Sequence, residues 1–89
     1  MANRRKLKKH IYALTNIVSE LCTLESMDAP CEMQKKYAEI YQDIMDTYFD
    51  TICRINHTEP NNAKAYYKKL HDDFSAKIKS FLKQLEELR

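Results

Sequence analysis

Apolar residues recur at intervals of three and four along three separate stretches of this chain. In the first, Leu7, Ile11, Leu14, Val18 and Leu21 follow one another in that rhythm, with Ile17 and Leu24 beside them. In the last, Ala63, Tyr67, Leu70, Phe74, Ile78, Phe81, Leu85 and Leu88 do the same. Such spacing places side chains on one side of a 3.6-residue helix and predicts two helices that each lay a single stripe on a core. No stretch alternates with a period of two, so strands find no support.

The middle stretch is broader. Met33, Tyr37, Ile40, Ile44, Tyr48 and Ile55 form one seam, and Ala38, Tyr41, Met45, Phe49 and Ile52 form another beside it. At ~100° per residue the apolar arc spans about 180°. A middle helix touches two neighbours, which accounts for part of that width. The remainder fits either tyrosines at a wet core boundary or a surface for a fourth helix.

Punctuation falls in two short polar segments. Asp28 and Pro30 mark the first; Asn56, Pro60, Asn61 and Asn62 mark the second. Proline suits a first helical turn, and Asp28 and Asn61 or Asn62 are expected N-caps. Asn56 is expected to close the middle helix in a left-handed conformation. The pattern thus predicts an all-α protein, one domain over residues 1–89. Its architecture is an antiparallel up-down-up three-helix bundle with long helices near 4–25, 29–55 and 62–88.

Composition sharpens this by exclusion. The chain has no glycine in its 89 residues. A phosphate-cradling loop, a dinucleotide fingerprint and a nucleophile elbow all need glycine for positive φ or close backbone approach. Three cysteines, Cys22, Cys31 and Cys53, form no CxxC pair and leave one thiol over in any pairing scheme. Free thiols and a cytoplasmic setting are expected. No apolar run reaches the ~18–20 residues of a spanning helix. The basic start leads into a stretch broken by Thr15, Asn16, Ser19 and Glu20, unlike the apolar region of a signal peptide.

Net charge is +2, but its distribution is uneven. Residues 1–19 carry five bases and no acid, residues 20–59 carry nine acids against three bases, and residues 60–89 carry seven bases against four acids. Arg4, Arg5, Lys6, Lys8 and Lys9 form a basic arm at a helix N-terminus, where cations oppose the helix dipole. One expectation is pairing with Asp46 and Asp50 at the end of the middle helix. The other is anion binding, nucleic-acid phosphates above all, with salt-dependent affinity.

Candidate chemistry is sparse. Glu32, Glu39, Asp43, Asp46 and Asp50 fall within roughly a 60° arc of the middle helix. Di-iron bundles require Glu-x-x-His pairs, and the residues three before His10, His57 and His71 are Leu7, Arg54 and Lys68. The acidic arc is expected to be a solvated face, with no metal site and no cofactor. His71, Asp72 and Asp73 are consecutive, so their side chains should point ~100° apart and form no relay.

The run Asn3-Arg4-Arg5-Lys6-Leu7-Lys8-Lys9-His10 ahead of three helices, with a His57-Thr58-Glu59-Pro60 link, resembles a family of small bacterial all-helical proteins of uncharacterised function. That resemblance implies a helical fold and no activity. The expected function is therefore a non-enzymatic protein-interaction module. It self-associates, as a homodimer of middle helix on middle helix, or docks a helical partner there. Tyr41, Met45, Phe49 and Ile52 are the expected interface. The alternative is a nucleic-acid-associated protein using Arg4, Arg5, Lys6, Lys8 and Lys9.

Overall fold

The computed structural model describes residues 4–57 and 63–88, apart from the side chain of Ala63. Three helices result: α1 (Arg4–Met27), α2 (Cys31–Asn56) and α3 (Ala63–Leu88). Each packs against the other two in an all-α three-helix bundle shaped as a rod of 50 × 17 × 15 Å. Cross-helix contacts fix the directions. Arg4 meets Tyr67 and His10 meets His71, so α1 and α3 run parallel. Cys22 meets Tyr37 and Tyr12 meets Tyr48, so α2 runs against α1.

The core follows the three-and-four spacing. Leu7, Ile11, Val18 and Cys22 come from α1, and Tyr37, Ile40, Ile44 and Ile55 from α2. α3 adds Tyr67, Leu70, Phe74, Ile78, Phe81 and Leu85. Among the described residues, the buried polar residues Thr15, Ser19 and Thr51 each bond within their own helix. The Thr15 hydroxyl donates to the Ile11 carbonyl at 2.8 Å, Ser19 to Asn16 at 3.2 Å, and Thr51 to Thr47 at 2.8 Å. Each buried hydroxyl thus avoids the cost of desolvation without a partner.

The helix ends depart from the expected caps. Asp28 lies in the turn, and the N-cap of α2 is Pro30, in an extended conformation and with no side-chain cap bond. Gln34 does the bridging instead: its amide donates to the carbonyls of Ser26 and Ala29 at 3.4 and 3.3 Å. The Ala29 N–H also returns to Ser26 at 3.2 Å. One side chain reaching back from the next helix therefore serves the Ser26 carbonyl at the end of α1 and the Ala29 carbonyl in the turn. At the other turn Asn56 is the last helical residue and His57 the cap, with φ −106°. No described residue has positive φ. The His57 backbone N–H and its Nδ1 both reach the Cys53 carbonyl, at 3.2 and 2.8 Å, which replaces the left-handed turn expected of asparagine. Asn61 and Asn62, the expected caps of α3, lie outside the described residues.

The thiols differ sharply. Cys22 is buried and Cys31 and Cys53 are exposed, all free. The Cys22 Sγ–H donates to the Tyr37 carbonyl at 3.4 Å. Burial pushes this thiol up from its ordinary value, and the nearby Glu25 carboxylate pushes the same way. At mildly alkaline pH a thiol reagent is expected to titrate Cys31 and Cys53 in the native protein, and Cys22 only after unfolding. A raised thiol pKa means its contribution to stability is full below the unfolded-state value and is lost as pH rises through the folded-state value. Equal native labelling rates for all three cysteines would contradict this placement.

Candidate functional site

The expected interface residues separate into two pairs on α2. Phe49 and Tyr41 are exposed, at 65% and 41%. Met45 and Ile52 are half-buried and pack against the core. Phe49 also meets Tyr48 edge-on with ring centroids 5.4 Å apart, and Tyr48 meets Tyr12 of α1 at 6.3 Å. Three aromatic rings therefore line the α1/α2 side toward the end where α2 finishes. Tyr41 lies farther along the same side, in a depression of about 330 Å³ lined by Ser19, Glu20, Thr23 and Leu24 of α1. Met45 and Ile52 lie one turn to either side of Phe49 on α2 and pack against the core.

The structure also exposes apolar residues that the stripe reading set at the core's edge. Ile17 and Leu24 are each 62% exposed and Met27 70%. Together with Tyr12, α1 carries four of the large exposed hydrophobics, against two on α2. A signal for them existed in the sequence. Ala13, Ile17, Glu20, Leu24 and Met27 are spaced by four, three, four and three. This is a second seam, ~200° around α1 from the core stripe and interrupted by Glu20.

The basic arm is partly absorbed by the fold. Arg4 Nε donates to the Tyr67 hydroxyl at 3.0 Å, and Lys8 is half-buried. Arg5, Lys6 and Lys9 are exposed. Asp50 and Asp46, the partners expected for this arm, find partners on their own helix. Arg54 pairs with Asp50 at 3.2 Å, and the Gln42 amide donates to Asp46 at 2.9 Å. Both carboxylates line a groove of about 670 Å³ between α2 and α3, together with Asp73, Lys77 and Ser80 over a floor of Leu70 and Phe74. These pairs are solvent-exposed and contribute little to stability.

The histidines lie elsewhere. His10 and His71 stack across the α1/α3 seam with centroids 4.8 Å apart and planes at 28°. Asp72 bends back to 3.6 Å from His71 Nδ1, closer than consecutive helical positions suggest, yet longer than a hydrogen bond. Asp73 faces the opposite groove, so the string is split between two flanks of α3. Among the described residues no group of three His, Cys, Asp or Glu side chains is placed to hold a metal ion. No helix of the described residues is long and apolar enough to cross a membrane.

No protein-family model matches the chain, and comparison with curated proteins and with solved structures finds no match. The resemblance to small bacterial helical proteins gains no support from these comparisons. A functional reading therefore rests on the surface itself.

Proposed function

We propose that this protein is a non-enzymatic interaction module that uses the α2 surface around Tyr41, Met45, Phe49 and Ile52 to self-associate or to take up a partner helix. The observation that carries this reading is Phe49, a phenylalanine 65% exposed two turns before the end of α2 and edge-on to Tyr48, which in turn meets Tyr12. Contiguous exposed apolar surface marks interaction sites, and aromatic anchors dominate their energetics. Met45 and Ile52, to either side of it, are already fixed by core packing, so a partner's side chains meet a rigid surface. The basic arm ranks second as a functional surface because Arg4 is engaged with Tyr67 and Lys8 is half-buried.

The test compares wild type with a Tyr41→Ser, Phe49→Ser double variant. Affinity purification from the native cell should show a helical partner held by wild type. The variant should lose it by tenfold or more, since anchors of this kind are each worth about 2 kcal/mol. Identical retention by both proteins would sink the reading.

A further inference from the structure

We propose that a second copy of this chain packs antiparallel along the outward face of α1, with Ile17 on the twofold axis. The inference stands on α1 and does not depend on the α2 patch.

The first observation is the second seam. Ala13, Ile17, Leu24 and Met27 lie on the side of α1 away from the core, and all four are exposed. A seam spaced by three and four over most of a helix is what a packed neighbouring helix requires. Leu82 of α3, 40% exposed, borders the same side. It lies three turns beyond His71, which faces α1.

The second observation is charge, and it selects both the occupant and the direction. Consider the half of the rod that holds the starts of α1 and α3 and the end of α2. Among the described residues it carries nine bases (Arg4 to Lys9, Arg54, and three lysines of α3) against Asp46, Asp50, Asp72 and Asp73. The other half carries eight acids against five lysines. On α1 alone the bases all precede Ile11, and the acids Glu20 and Glu25, followed by Asp28 in the turn, all come late. A parallel neighbour of the same kind would set bases on bases. An antiparallel copy sets each basic half against an acidic half, and a twofold axis makes that surface self-complementary.

Register follows from the same two features. With Ile17 facing its own mate, Ala13 falls opposite Leu21, His10 opposite Leu24, and Lys6 opposite Asp28. Ile17 then meets its own mate at the centre, and the opposite charges of Lys6 and Asp28 meet at the rim. Shape agrees with a side-on contact. The broad side of the rod is 50 × 17 Å, about 850 Å² in projection. An end-on contact of 17 × 15 Å offers about a third of that.

Light scattering after size exclusion, with the full chain at about 100 μM, tests this. Wild type should run as a dimer of 10.6 kDa chains. Ile17→Lys and Leu24→Lys should run as monomers of unchanged helical content by circular dichroism. In a Cys31→Ser, Cys53→Ser background, Ile17→Cys should form a disulfide-linked dimer on mild oxidation, and Leu24→Cys should not. A wild-type monomer at this concentration overturns the proposal. So does a dimer lost in Phe49→Ser but kept in Ile17→Lys, which moves the second copy to α2. Self-linking of Leu24→Cys as fast as Ile17→Cys overturns the antiparallel direction.

Discussion

Phe74→Ala is expected to lower the melting temperature by roughly 15–30 °C, the combined consequence of a ~3–5 kcal/mol loss and the steepness of unfolding in a domain this small. Phe74 is 3% exposed and sits midway along α3, with the rest of that helix's apolar stripe above and below it. Its ring also floors the groove between α2 and α3, so its removal opens a void that joins existing surface. A chain of 89 residues carries a total stability of only about 4–13 kcal/mol. The loss is therefore a large share of that total. Thermal unfolding followed by circular dichroism reads the effect directly, and Leu82→Ala on the same helix is the control. Leu82 is 40% exposed, and its truncation should cost about 1 kcal/mol or less. A Phe74→Ala protein that melts within a few degrees of wild type would mean that α3 does not pack by this stripe.

Ile44→Asp and Phe49→Asp should give opposite outcomes, although the two positions are five residues apart on one helix. Ile44 is 1% exposed at the centre of the bundle. An aspartate there loses ~2–3 kcal/mol of apolar burial and carries a desolvation cost of several kcal/mol more. Together these are comparable to the whole stability of a domain this size, and Ile44→Asp should be unfolded at room temperature. Phe49→Asp should stay helical. It gives up the edge-on contact with Tyr48, about 1 kcal/mol, and a few tenths in helix propensity. Urea titration of both variants checks the pair. An unfolded Phe49→Asp would make Phe49 a structural residue and remove the basis for reading its exposure as an interaction site.

The sequence made the bundle legible because helical spacing and buried stripes are the same fact. Tyr67, Leu70, Phe74, Ile78, Phe81 and Leu85 were named from spacing alone and all are buried. The seam of Ile17 and Leu24 was harder to see. Each lies only ~60° around the helix from a half-buried leucine, Leu14 or Leu21, so spacing alone files it with the core. Which edge of a stripe is covered depends on where α3 comes to rest, and that is a tertiary outcome. Glu20 further disguises the seam by interrupting it. The His10–His71 stack joins residues far apart in the chain and needed the parallel register of α1 and α3 to appear. The Pro30 start of α2 was misplaced onto Asp28 because cap preferences describe isolated helices. Here a glutamine from the following helix already serves the turn.

Thr15, Ser19 and Thr51 each spend their hydroxyl on a carbonyl of their own helix. None of these bonds ties one helix to its neighbour. The polar ties between helices sit toward the two ends of the rod, Arg4 to Tyr67 at one and Cys22 to Tyr37 nearer the other. Between these ties, core side chains from all three helices pack together and keep the alignment. That section can absorb volume-conserving exchanges such as isoleucine for leucine with little loss, while the ends act as the pins that stop one helix slipping a turn against the next.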